Sequence, residues 1–215
     1  HDASLEFGRI KRGEPFKAEL NARIQHVRSA AVAKFSAQAI LNVDFGSKSV
    51  TAKNTNISFK GDFPENVWFE HALKKVDLSL TTPSLTLEPA TGRVRLERFS
   101  LRTKGLREGA AFEFNLEAPL FDISNNSARA DSVTSRLRMD GKPAIDARIV
   151  LDGLQGDRSR LLFDRSSLDL AIKRDARVFK LVMSSPAVIQ PFLSTLTLSA
   201  LQGEMQVLQV PEKDC

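Results

Sequence analysis

Few residues in this chain are equipped for chemistry. It holds three His, one Cys and no Tyr among 215 residues. A structural zinc site takes four ligands, mostly His and Cys at short spacing. His26 and His71 each stand without a second His or Cys at such a distance. The single Cys215 excludes an internal disulfide framework. Nucleophilic catalysis lacks its signatures too, since there is no Gly-x-Ser-x-Gly elbow and no glycine loop of the dinucleotide or P-loop kind. Acids are dense over residues 140–169, as Asp140, Asp146, Asp152, Asp157, Asp164 and Asp169. Their spacing is not that of a calcium loop, and Asp140-Gly141 and Asp152-Gly153 are turn dipeptides. A carboxylate pair for glycoside hydrolysis would have to be assembled by the fold. Trp68-Phe69 reads as a packed pair under a sheet, or else as an exposed anchor. These residues imply a non-enzyme with no metal and no cofactor.

The remaining residues describe what would position a site of another kind. Hydrophobic residues are 42% and charged residues 27%, which excludes a disordered chain. The net charge is +5. The densest basic stretch spaces Arg93, Arg95, Arg98, Arg102, Lys104 and Arg107 between apolar residues. That spacing fits the wet face of strands, and no nucleic-acid partner is expected. Residues 181–203 carry no charge and are long enough to span a bilayer, but Pro186, Pro191 and the scattered Ser, Thr and Gln argue against a spanning helix. The chain opens on His1 with no basic-then-apolar leader, so it reads as an excised or processed piece whose anchor lies elsewhere.

Period two dominates. Residues 16–24 (FKAELNARI) alternate cleanly, as do residues 112–116 (FEFNL) and 168–172 (LDLAI). Such alternation marks strands with one apolar face. Turn chemistry separates the runs at residues 11–15, 89–92, 124–127 and 140–143. The predicted fold is all-β: an antiparallel, twisted sheet of repeated hairpins forming a groove or an open sandwich, with little helix. One short helix is a candidate over residues 62–76, with Val67, Ala72, Leu73 and Val76 on one face, although residues 67–69 suit a strand equally. A repeat runs through the chain. Val43, Val50, Ala52, Ile57 and Gly61 recur 44 residues on as Leu87, Val94, Leu96, Leu101 and Gly105. A step of 36 takes Leu85, Leu87, Val94, Leu101 and Gly105 to Phe121, Ile123, Ala130, Leu137 and Gly141. A step of 102 takes the stretch from Leu85 to Leu101 onto Ala187, Ile189, Leu196, Leu198, Leu201 and Gly203. The chain is read as one domain, residues 1–215, with hairpins near 41–61, 85–105, 121–141 and 187–203. Each unit is a hairpin with one apolar face, and such units bury that face against neighbours.

These stretches resemble the middle region of the AsmA family of Gram-negative bacteria. The resemblance lies in residues 40–45 (ILNVDF), residues 49–60 (SVTAKNTNISFK) closed by Gly61, residues 3–10 (ASLEFGRI), residues 15–20 (PFKAEL), and residues 184–186 running on to 196–203 (LTLSALQG). It covers most of the chain in pattern rather than identity. It implies a periplasmic segment of a longer chain, tethered to the inner membrane by an anchor outside this segment. It implies a role in outer-membrane assembly and homeostasis, with phospholipid as the ligand and the rest of the same chain, or envelope proteins, as partners.

The residues give their own expectation of how such a ligand is held. Leu85, Leu87, Val94, Leu96 and Leu101 should share one side and line a lipid groove, with Ile123, Ile189 and Leu198 equivalent to them. Arg93 and Arg95 should face the other way. Leu96 and Phe99 are out of phase, so a bulge or strand break is expected between them. A closed sandwich would instead hide the apolar face, and a scaffold would cover it with a partner protein.

Overall fold

The computed structural model describes residues 2–9, 11, 13–25, 32–63, 72–157 and 159–209. They form thirteen strands: β1 (Asp2–Phe7), β2 (Phe16–Gln25), β3 (Val32–Asp44), β4 (Ser49–Phe63), β5 (Leu73–Glu88), β6 (Arg93–Arg107), β7 (Ala110–Ile123), β8 (Ala128–Met139), β9 (Ala144–Gly156), β10 (Leu161–Arg174), β11 (Arg177–Gln190), β12 (Thr195–Leu198) and β13 (Gln202–Gln209). All belong to one antiparallel sheet, ordered as in the sequence from β1 to β12. The last two strands share one neighbour. β12 pairs with residues 187–190 of β11 and β13 with residues 177–184. The break between them is held by Ser199 N–H donating to the Pro186 carbonyl and Ala200 N–H donating to Ser185 Oγ.

Turns close the hairpins where the sequence places them. Asp44 Oδ1 accepts the Gly46 N–H at 2.8 Å, an Asx turn between β3 and β4. Glu108 and Gly109, with φ of 51° and 84°, turn β6 into β7 with Arg107 and Ala110 directly paired. The helix expected over residues 62–76 is corrected in its described part. Leu73 and Val76 lie in β5, paired to Arg107 and Gly61, because ladder pairing on both sides outweighs a short helical pattern. Residues 64–71 lie outside the described residues.

Alternation is reset once in the middle of most strands. On β4, β6 and β9 a residue in the left-handed region marks the reset: Asn54 (φ 52°), Arg98 (φ 50°) and Gly153 (φ 65°). An extra residue of this kind turns every later side chain to the opposite face. Apolar residues five apart therefore return to the same side. The pairs are Ala52 and Ile57, Leu80 and Leu85, Leu96 and Leu101, Leu116 and Phe121, Ile149 and Leu154, and Phe163 and Leu168. The bulge expected between Leu96 and Phe99 is this reset at Arg98. Together the resets draw a crease across the sheet from β4 to β10. Polar side chains repair it. Thr82 Oγ1 lies 2.7 Å from the Glu97 carbonyl and 2.8 Å from that of Ser84, and Ser166 Oγ donates to the Ser185 carbonyl at 2.7 Å. Carbonyls freed by a break in the ladder need such donors when water is excluded.

The sheet is a single open layer. Strands make extensive contact only with their ladder neighbours. A globular chain of this mass exposes about 9,900 Å²; this one exposes 14863 Å². The buried hydrophobic residues among those described are mostly Ala, joined by Val76, Leu154 and Phe163. Among the described residues no second layer covers either face, which sets aside the closed sandwich.

Candidate functional site

Antiparallel partners point their side chains to the same face, so the register traces rows across the sheet. One row joins Val43, Val50, Leu87, Val94, Ile123 and Ala128, then Gly156, Leu161, Ile189 and Leu196. A second begins at Phe16 and passes through Leu41, Ala52, Leu85, Leu96, Phe121, Ala130 and Leu154. It ends through Phe163 and Ala187 at Leu198. The third lies beyond the crease, with Leu80, Leu101, Leu116, Ser135, Ile149, Leu168 and Met183. From β3 to β12 only Gly156 and Ser135 interrupt these carbon rows.

A cavity shows that the three rows share one face. It measures about 220 Å³ and is walled by Phe163, Ile189 and Leu198 from one side of the crease and Ile149, Leu168 and Met183 from the other. Leu151 and Leu201 complete its apolar wall. Beneath it Ala130, Leu154, Phe163 and Ala187 form a buried cluster. This is the best-packed part of the apolar face. Elsewhere the face is open: Leu87 is 36% exposed and Met205 67%.

All eight expected lining residues therefore fall in the three rows. Leu87, Val94, Ile123 and Ile189 share the first, Leu85, Leu96 and Leu198 the second, and Leu101 lies in the third. Leu87 and Leu198 are exposed and the others half-buried. Leu87 and Val94 pair directly, as one side of one hairpin requires. The third repeat unit needs a correction. Ile123 pairs with Ala128, five residues on, whereas Leu87 and Val94 are seven apart. The β7–β8 turn is two residues shorter, so Ala128 and not Ala130 corresponds to Val94. An even shift keeps the face.

The opposite face is mostly polar from β5 to β8, with Val150, Leu162, Val182 and Val188 as apolar exceptions toward the C-terminal strands. Arg93 and Arg95 lie on it, as their alternation requires. Arg93 holds Asp122 with Nε at 2.8 Å and a second bond from Nη2. Those hydrogen bonds keep the Asp122 carboxyl below the usual carboxylate range, against a smaller opposing effect of burial. Arg136 holds Asp146 in the same bidentate way, with the same lowering. Ser132 Oγ donates to Asp152, and Asp157 caps the turn through Ser159 and Arg160. The acid run thus serves ladders and turns. His26, His71, the Trp68-Phe69 pair and Cys215 lie outside the described residues.

No family model, curated protein or solved structure matches the chain. Its chemistry must be argued from the two faces alone. Sequence reasoning missed Ile149, Leu151, Phe163, Leu168, Met183 and Leu201 in the cavity wall. The signal for two of them was the five-residue spacing of Phe163 and Leu168, which looks out of phase until the crease is known.

Proposed function

We propose that the apolar face binds phospholipid acyl chains, and that the chain is a non-catalytic, AsmA-like periplasmic segment contributing to a lipid path for outer-membrane assembly and homeostasis. One observation carries the reading: rows of Leu, Ile, Val and Phe cross ten strands on a face that no other layer covers. Soluble monomers rarely leave contiguous apolar patches larger than a few hundred Å². An acyl chain is a fitting cover, because each buried methylene contributes about 0.8 kcal/mol with no polar partner required. The rows run across the strands, so a chain lying along one meets carbon at every step of about 4.8 Å. The cavity at Phe163 and Met183 supports a defined seat at the C-terminal end of the rows. The polar face, with its bidentate Arg–Asp pairs, would stay in water.

Native mass spectrometry of the full chain tests this directly. The expected spectrum carries adducts of phospholipid mass, lost when delipidated protein is measured and regained with phosphatidylethanolamine. A lipid-free monomer that stays lipid-free on addition would overturn the reading. A lipid-free dimer would favour the scaffold.

A further inference from the structure

The polar face carries a concavity of about 600 Å³ over the crease, between β5 and β8. Its lining joins Phe99, Ala118 and Pro119 to a set of polar side chains. Arg98 and Arg102 reach into it, beside the hydroxyls of Ser79, Thr81, Ser100 and Thr134. Among the described residues those four hydroxyls have no hydrogen-bond partner, and Arg98 has no acidic one. Among the described lining residues only Glu117 is acidic, and both it and Ser132 are engaged. Glu117 Oε1 lies 3.8 Å from Arg102 Nη2, and Asp152 accepts from Ser132. Arg98 is left as the free cation of the site.

The backbone makes a second, independent point. The left-handed position of the crease is held by Asn54 on β4 and by Gly153 on β9. Both types take that conformation at low cost. On β6 it is held by Arg98, a residue poorly suited to it. Lys75 on β5 takes nearly the same φ, but of the two only Arg98 lines the concavity, and a strained position kept by an unsuitable residue points to a use for the side chain there. At this bulge the side chain is aimed over the row of hydroxyls.

We propose that this concavity binds a phosphate-bearing polyol, with Arg98 holding the phosphate and the four hydroxyls meeting the polyol oxygens. A guanidinium matches phosphate geometry, and a hydroxyl both donates and accepts. The same chemistry is offered by a free sugar or glycerol phosphate and by a glycerophospholipid headgroup. The site lies on the face opposite the acyl rows and stands whether or not those rows bind lipid.

The test titrates the full chain with glycerol 3-phosphate by calorimetry, with glycerol as control. In parallel, vesicles of phosphatidylglycerol and phosphatidylcholine are tested by flotation. Saturable binding of glycerol 3-phosphate but not glycerol is expected. Arg98→Gly should weaken it at least about tenfold, the loss expected for a charge-assisted hydrogen bond. The thermal midpoint of that variant should hold or rise, since Gly suits the left-handed position. Binding confined to the soluble phosphate assigns a free metabolite. Flotation that Arg98→Gly abolishes assigns a lipid headgroup. No binding to either probe, equal binding of glycerol, or undiminished binding by a folded Arg98→Gly would overturn the proposal.

Discussion

Leu96 is where the open face differs most from a closed core. It sits between Leu85 and Phe121 in its row, half-buried, with no layer above it. A charge placed there can reach water, whereas in a sealed core it would be buried unpaired. Leu96→Glu is therefore expected to fold, at a cost of about 1–2 kcal/mol for lost apolar contact. A thermal melt checks the folding, and lipid adducts in the same sample should be lost. A collapsed melt would contradict the open face. Asp122 gives a second test at this scale. Arg93 lowers its pKa, so its contribution is fully present above its unfolded value of about 3.9. That contribution is lost as pH falls through the lower folded value. Acid titration followed by circular dichroism should show stability falling below about pH 4. Asp122→Asn should remove part of that fall.

At the scale of strands, the crease decides which side chains share a face. Gly153 is its tightest point. Its φ is 65°, and an added Cβ would meet the Asp164 side chain. Gly153→Ala should cost about 1–2 kcal/mol from the left-handed backbone alone, read as a lower urea midpoint with unchanged strand signal. Strands and hairpins were largely legible in the sequence, because a one-layer sheet leaves alternation almost undisturbed. The bulge at Arg98 was legible as a phase break between Leu96 and Phe99. The strand β9 was not, since Ile149, Val150 and Leu151 put carbon on both faces and blur the period. The split pairing of β11 also left no sequence signal. It follows from Pro186, which cannot donate to the ladder, and from the exposed segment after Leu198, whose course depends on tertiary hydrogen bonds. The placement of the eight expected residues on one face was legible through the repeat. Phe163, Leu168 and Met183 were hidden behind the reset.

The whole molecule gains its stability from ladder bonds and half-buried rows rather than from a sealed core, and this has a measurable consequence. The denaturant slope m scales with the surface exposed on unfolding. Most of this chain's excess surface is already exposed when folded. Its unfolding should therefore expose about four-fifths of the area expected for a globular chain of equal mass. The urea m-value of delipidated protein should be lower in the same proportion. Acyl chains that cover the rows in the folded state and leave on unfolding should restore part of the difference. They should also raise the midpoint, as any ligand that prefers the folded state does. Paired urea titrations, with and without saturating phosphatidylethanolamine, measure both effects. An m-value already at the globular level without lipid would mean that the apolar face is covered in solution, by a second copy or by collapse of the sheet. An m-value that stays low while the midpoint rises would place the lipid somewhere other than along the rows.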